Sequence, residues 1–331
     1  MLAVQVKQPG DASQLYIGEY QTPTPTDTQL LVKIKCFCLN RMDINQREGN
    51  YPPPPGASPI LGVELSGIVE SVGKNVTKFK KGDAIFGLIP GGAYAEYAVI
   101  EEGLAIPKSE NVSFEKAAAI PETWFTAYQA LFFVAELKEG QDILIHAGAS
   151  GVGIAAIQLA KDFGANKIFV TAGSDEKVAF CEKLGATRAI NYKTEKWADV
   201  IAKETNGNGV NVVVDMIGKD YWNDNINSLA KDGHMVILAF MSGNLVPNFN
   251  IAPLLFKRIR IEGTALRSRC LEYQIRLRDA VYEKAIAHHL CKDDGAVKVF
   301  VDKVFDWKDI VEAHKYLESN QSMGKIVVRV N

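Results

Sequence analysis

The stretch Asp142–Ala160, DILIHAGASGVGIAAIQLA, decides how the rest of the chain is read. A short β-branched, apolar run enters a turn with glycines at positions 148, 151 and 153. An Ala- and Ile-rich run follows directly, as a buried helix requires. Glycine permits a tight turn, close approach of the backbone to a phosphate, and close packing of helix on strand. The helix N-terminus adds free amides and a favourable dipole for a pyrophosphate. The spacing is GxxGxG rather than the commoner GxGxxG. The context that gives such a motif meaning, a strand before it and a helix after it, is present. The turn predicts a dinucleotide site built on Gly148, Ser150, Gly151, Val152 and Gly153.

Outward from this turn the same texture repeats. KIFVTAG, RAINY, NVVVDMIG, HMVILAF and RIRIEGTAL read as strands. DEKVAFCEKLG, TEKWADVIAKETNG and DYWNDNINSLAKDG read as the helices between them. Continuous apolar runs mark strands buried on both faces, and regular strand–helix alternation predicts a doubly wound parallel sheet. Upstream the texture differs. LLVKIKCF, LSGIVESV, DAIFGLI and AEYAVI are short β-like runs separated by Gly- and Pro-containing turns. FEKAAAIPETWFTAYQALFF predicts a helix pair broken at Pro121. The tail adds a helix, LEYQIRLRDAVYEKAIAHHL, a strand in KVFVDKVFDW, a helix DIVEAHKYLES and a closing strand GKIVVRV. The fold class is thus α/β, with a Rossmann domain expected over 123–267 and a mainly β domain over 1–122 and 268–331.

Composition excludes several functions. The 331 residues are 47% hydrophobic and 23% charged, with 37 basic and 39 acidic side chains and a net charge of −2. That balance gives no electrostatic case for a nucleic-acid or membrane-surface partner. No apolar run approaches the roughly 20 residues of a membrane span. The N-terminal MLAVQVKQPG turns polar too soon for a signal peptide. The five cysteines, Cys36, Cys38, Cys181, Cys270 and Cys291, are scattered and form no CxxC pair, which predicts reduced thiols and a cytoplasmic protein. Cys36 and Cys38 are expected on one strand face, buried. The histidines are dispersed, and His146, on the apolar strand before the glycines, reads as a core residue.

The second strand of the series tells which dinucleotide binds. An NAD site has Asp or Glu about 20 residues after the glycines, for the ribose 2′-hydroxyl. Here the strand ends Val170-Thr171-Ala172-Gly173-Ser174, without an acid. Ser174 is placed to donate to a 2′-phosphate, Lys177 follows one helical turn on, and Tyr192 closes the pocket. Asp175 and Glu176 dilute the local positive charge. The expected cofactor is NADPH.

A second stretch, Leu61–Gly67 (LGVELSG), sets a puzzle. Glu64 sits in an apolar, glycine-rich run, and a buried carboxylate needs a metal, a basic side chain or backbone amides. With it, the segments LNRMDINQREGNYPPPPGAS, AAAIPETWFTAYQAL, LIHAGASGVGIAAIQLA, VTAGS, EKLGA, NYK, LLFKR, LRSR and EAHKY carry a resemblance across essentially the whole chain. The chain resembles the medium-chain dehydrogenase/reductase superfamily, and within it the zinc-free quinone oxidoreductases, a group that includes zeta-crystallin. Ser150 departs from the third glycine that many members have there. Zinc-dependent members carry Cys-x-x-Asp and Gly-His-Glu where this chain has Asn40-Arg41-Met42-Asp43 and Gly62-Val63-Glu64. Valine offers no ligand atom, so no metal is expected. Glu64 is then a structural carboxylate, answered by amides or by a basic side chain, with Arg47 and Arg267 as candidates.

The resemblance implies a GroES-like catalytic domain and hydride transfer from NADPH to a quinone. Enoyl or alkenal reduction on the same scaffold is the alternative, and a non-catalytic, crystallin-like role a third. Asn40, Tyr51 and Asp43 are the candidate catalytic residues: an amide and a phenol to stabilise or protonate an oxyanion, and a carboxylate that supports their loop. The four prolines Pro52–Pro55 make Tyr51's setting rigid. The resemblance adds cofactor contacts at Thr126, Gly173, Ile217, Gly218, Phe240, Leu266, Arg267, Ser268, Gly324 and Lys325. It also implies a homodimer joined through Arg258–Leu266, since an exposed edge strand needs covering.

Overall fold

The computed structural model describes residues 1–290 and 297–331. The chain forms two compact units, Met1–Phe125 with Arg267–Asn331, and Thr126–Leu266. The divisions fall at 125/126 and 266/267, where the sequence reading put them at 122/123 and 267/268, so Arg267 belongs with the first unit.

The first unit is built on a seven-stranded sheet. Its path runs Val301–Asp306, Lys325–Arg329, Gln29–Cys38, Glu64–Val72, Ala84–Leu88 and Ala105–Pro107, and Tyr97–Glu101 also pairs with Gln29–Cys38. Only the first two strands are parallel neighbours. Leu30, Val32, Ile34, Phe37, Leu65, Val69, Ile85, Ile326 and Val328 form its core with the fully buried Tyr94. The ladder between Gln29–Cys38 and Glu64–Val72 shifts register between Ile34 and Cys36. Beyond that irregularity Cys36 and Cys38 pack with Ala118, Ala119 and Val327 instead. Burial pushes the Cys36 thiol up to about 12 and Cys38 well above its ordinary value. Cys181 is also a buried thiol and Cys270 an exposed one, while Cys291 lies outside the described residues.

The second unit holds an all-parallel six-stranded sheet. Its order is Arg188–Asn191, Ile168–Ala172, Ile143–Ile145, Val210–Asp215, Leu229–Ile237, Arg260–Gly263. The chain starts at Ile143–Ile145, winds outward one way, then restarts on the other side at Val210–Asp215. The carboxyl ends of those two adjacent strands are therefore the topological switch point, where ligands bind in such sheets. Every residue of Ile143–Ile145 and Ile168–Ala172 is buried, as expected for strands covered on both faces.

One element differs from its expected course. The helix expected through DYWNDNINSLAKDG stops at Ser228, and Leu229–Ile237 is a strand. Leu229 pairs with Val210 and is 1% exposed, so sheet pairing overrides a helical pattern that carries no stop signal. The break at Pro121 is as expected: Phe114–Ala118 ends before it, and proline occupies the first position of Pro121–Tyr128. No helix among the described residues is long and apolar enough to cross a membrane.

Candidate functional site

Glu64 opens the strand Glu64–Val72 and its side chain is completely buried. Three elements of the first unit converge on it. Lys325 Nζ and Asn40 Nδ2 each lie 2.8 Å from Oε1, and the backbone N–H of Glu122 donates to Oε2 at 2.8 Å. Glu122 lies in the first turn of the helix Pro121–Tyr128, where amides lack intrahelical acceptors, so the carboxylate also answers a helix end. Lys325 further donates to Leu39 O at 3.0 Å and to Asn40 Oδ1 at 2.6 Å. Burial pulls the Lys325 ammonium down, but the Glu64 carboxylate outweighs it and holds it above its ordinary value.

This corrects two expectations. The cation facing Glu64 is Lys325, not Arg47 or Arg267. Lys325 is also not turned to a cofactor, because it is 5% exposed and an ammonium has only three hydrogens, all engaged inside the unit. Neighbouring Gly324 takes φ +119°, and a Cβ there would come within 2.5 Å of Phe300 O. Gly324 therefore shapes the turn into the strand Lys325–Arg329.

Asp43 is 1% exposed and accepts from Asn40 N at 2.8 Å, Tyr94 Oη at 3.1 Å and Gly62 N at 3.2 Å. Burial raises its carboxyl to about 6 against those hydrogen bonds. Behind it runs a buried chain. Arg47 Nη1 meets His314 Nδ1 at 3.1 Å, and His314 Nε2 meets Tyr94 Oη at 3.2 Å. Arginine has no acceptor, so Nδ1 accepts, Nε2 carries the proton and donates to Tyr94, and Tyr94 donates to Asp43. Burial holds the His314 imidazole near 3, and it stays neutral. Arg47 is itself held by Gly10 O at 2.9 Å and Glu318 Oε1 at 2.6 Å. Asp43 is thus a positioning group for the Asn40 and Gly62 backbone. It is not poised to touch a substrate. Gly62 is obligatory, since a Cβ would lie 2.4 Å from the Tyr94 ring.

Tyr51 precedes the prolines and is half-buried, with the Arg267 guanidinium 5.6 Å from its ring centroid. Burial holds the phenol above its ordinary value against the pull of Arg267, so it remains a donor at neutral pH. Arg267 is 6% exposed and donates to Pro90 O at 2.7 Å and Gln46 Oε1 at 2.8 Å. It ties the Tyr51 loop to the unit's core. Ser268, next to it, is exposed. Sequence reading missed Glu122, Tyr94 and His314. Nothing local marks them: Glu122 looks like an ordinary first-turn acid, yet burial and then the Glu64 charge push its carboxyl up to about 8.

These donors do not suit zinc. Val63 is 1% exposed and has no ligand atom, Asn40 is committed at both ends of its amide, and a lysine already neutralises Glu64. Among the described residues no group of three or more His, Cys, Asp or Glu is arranged to hold a metal ion.

In the second unit, the strand Ile143–Ile145 runs through Gly148 to Ser150, which caps the helix Gly151–Asp162 by accepting from Gly153 N at 3.1 Å. Val152 is the second helical residue, so the amides of Gly151 and Val152 have no acceptor in the helix. A Cβ on Gly148 would meet Val170 Cγ1 at 1.9 Å, and one on Gly153 would meet Ala147 O at 2.5 Å. The turn is as tight as a phosphate cradle requires. Ser174 caps Asp175–Leu184, accepting from Lys177 N at 3.3 Å, and keeps its own hydroxyl hydrogen for donation. Asp175 Oδ1 accepts from Asn191 Nδ2 at 2.7 Å, which binds the acid noted beside the expected phosphate position. A Cβ on Gly173 would lie 2.8 Å from the Tyr192 hydroxyl, so the half-exposed tyrosine sits directly against that strand end. Ile217 N and Gly218 N donate to the buried Asp215, at 2.8 Å and 3.2 Å to its two oxygens, and Gly218 takes φ +86° beneath Phe240. Phe240 is 58% exposed just past Leu229–Ile237. Thr126 is part-exposed in Pro121–Tyr128, and Leu266 is buried. His146 is a core residue as expected: Nδ1 meets Thr171 Oγ1 at 2.9 Å, Nε2 meets Asn225 Oδ1 at 2.7 Å, and burial lowers it to about 4.

Comparison with known proteins agrees with both halves. Residues 26–110 match the alcohol dehydrogenase GroES-like domain family, and residues 151–281 the zinc-binding dehydrogenase family. A zinc-type alcohol dehydrogenase-like protein of Schizosaccharomyces pombe is 32% identical, with 96% of each chain covered. A quinone oxidoreductase of Sus scrofa is 30% identical over 92% of this chain and 90% of its own. Among solved structures, Escherichia coli quinone oxidoreductase complexed with NADPH matches over the full length of both chains with a TM-score of 0.88 and 29% identity. The CurK enoyl reductase matches with a TM-score of 0.87 and 26% identity over 100% of this chain and 99% of that one.

Proposed function

The chain belongs to the quinone oxidoreductase family of the medium-chain dehydrogenase/reductase superfamily, and from that premise we propose that it reduces quinones with NADPH and without zinc. One observation carries the zinc-free reading: Lys325 and Asn40 occupy Glu64, where a metal centre would need ligands. Without a Lewis acid, a simple ketone is a poor hydride acceptor, whereas a quinone or an enone is already electron-poor. The cofactor, when bound, supplies a hydride. The protein's share is to orient the acceptor and to stabilise the oxyanion that forms. We assign that to the Asn40 amide and the Tyr51 phenol, with Asp43 and Arg267 holding them. NADPH oxidation measured against a panel of quinones and a panel of enones tests the reading. Turnover of quinones supports it, turnover of enones alone gives the enoyl-reductase reading favoured by the CurK likeness, and turnover of neither leaves a non-catalytic role.

For Tyr51→Phe we expect quinone kcat to fall about a hundredfold, the lower end of general-acid effects. Unchanged turnover would remove Tyr51 from the chemistry.

NADPH preference is supported by Ser174 at the cap of its helix, by Lys177 one turn on and by the diversion of Asp175 to Asn191. A charge-assisted hydrogen bond is worth about 1.5–3 kcal/mol. Lys177→Ala is therefore expected to weaken NADPH roughly tenfold to a hundredfold by fluorescence titration, with NADH unaffected. An unchanged NADPH Kd would refute the role.

A homodimer through the edge strand Arg260–Gly263 is part of the proposal. The adjoining helix Ala252–Lys257 buries none of its residues, and Leu255 and Phe256 are 74% and 71% exposed. Apolar surface of that kind beside an open strand edge calls for a partner copy. A dimeric mass in light scattering is expected, and a monomeric one rules it out. A cytoplasmic location is proposed on the free thiols Cys36, Cys38, Cys181 and Cys270.

A further inference from the structure

The buried triad Lys325–Asn40–Glu64 does more than neutralise a carboxylate. Asparagine has two nearly isosteric orientations, related by a half-turn of the amide, which exchange a donor edge for an acceptor edge. In this structure the choice is made by charge. Lys325 Nζ lies 2.6 Å from Oδ1, and Glu64 Oε1 lies 2.8 Å from Nδ2. Turning the amide over would set its NH2 against an ammonium and its oxygen against a carboxylate, losing two charge-assisted hydrogen bonds and gaining two repulsions. Asp43 fixes the same residue from the backbone side, through Asn40 N at 2.8 Å. Asn40 therefore keeps its amide in one sense, with one Nδ2 hydrogen on Glu64 and a second hydrogen left to donate.

We propose that Lys325 is a positioning residue for the reaction: it locks the Asn40 amide so that the reacting oxygen always meets an N–H and never the amide oxygen. The inference rests on the reading of Asn40 as an oxyanion donor. Lys325 also cancels the charge of Glu64, which otherwise lies one hydrogen bond behind that donor and opposes a developing negative charge. The groups that face it are Glu64, Glu122, Cys38 and the carbonyl of Leu39.

The test uses the full chain. Lys325→Met alone strands a buried carboxylate and risks misfolding, so the informative variant is Glu64→Gln with Lys325→Met, in which both charges are removed together. It is expected to fold and to bind NADPH with an unchanged Kd. Its quinone kcat is expected to fall at least tenfold with KM for NADPH unmoved, and Asn40→Ala is expected to fall as far or further. A readout independent of turnover is the side-chain amide 15N–1H correlation of Asn40, identified by its loss in Asn40→Ala. In the wild type it should show two well-separated, slowly exchanging hydrogens. In the double variant it should broaden or shift toward the values of a free amide. If the double variant retains wild-type kcat and an unaltered Asn40 amide signal while Asn40→Ala is impaired, Lys325 does not position Asn40 and the proposal falls, although the assignment of Asn40 stands. If Asn40→Ala retains full kcat, the donor assignment fails first and takes this proposal with it.

Discussion

Replacing Lys325 with methionine is expected to lower the melting temperature by roughly 10–15 °C. Glu64 is 0% exposed, and Lys325 is its only charged partner within ion-pair distance among the described residues. Removing one member of a buried pair costs about 3–5 kcal/mol, because the remaining charge is stranded in a medium that solvates it poorly. Each kcal/mol is worth about 2–4 °C in a unit of this size. The loss should shrink in the double variant with Glu64→Gln, where no charge is left behind. A cycle of the two single variants and the double, followed by thermal unfolding, measures the coupling. If Lys325→Met melts within a degree or two of the wild type, the ion pair contributes nothing to the fold, and Glu64 has other means of satisfaction.

The second large effect is a pH dependence centred on Glu122. Its carboxyl is 8% exposed, and burial, followed by the negative charge of Glu64, raises it from an ordinary 4.5 to about 8, with Lys325 and Arg267 pulling the other way. Between those two values the folded protein keeps a proton that the unfolded chain has released. Stability therefore falls as pH rises through the window from about 4.5 to 8, and the full penalty is present above it. Each pH unit across that window costs at most about 1.4 kcal/mol, so the change is on the order of a few kcal/mol, or roughly 5–10 °C. Glu122→Gln cannot ionise. It is expected to match the wild type near pH 4.5 and to melt higher at pH 9. Asp43, raised to about 6, leaves a residual slope of the same sign at the acid end of the range in both proteins. Parallel melting curves for the two proteins across pH 4.5–9 would show that Glu122 does not titrate in this window.

Both effects lie in residues that local sequence describes poorly. Glu122 follows a proline at the start of a helix, where an acid is ordinary on dipole grounds alone. Its burial against Glu64 depends on how that helix end meets the sheet. Lys325 follows a glycine in a closing strand and resembles a cofactor-contacting lysine in sequence, but the strand's pairing with Gln29–Cys38 turns it inward. The histidine–tyrosine–aspartate chain behind Asn40 was equally hidden. His314, Tyr94 and Asp43 come from a late helix, a loop before a strand and an early helix.

The parallel sheet and its glycine turn were legible from the chain alone, because strand, turn and helix there are contiguous and each is specified by its neighbours. The valine at position 63 was legible for the same reason: a side chain without a ligand atom can hold no metal wherever it is placed. The partner of Glu64 was not. Asn40 and Lys325 are 285 residues apart, and an ion pair in a protein interior is chosen by which strands hydrogen-bond together rather than by anything adjacent in sequence. The sequence singled out the carboxylate. Sheet pairing alone decided that the balancing cation is a lysine, and that the same lysine settles which way an asparagine faces.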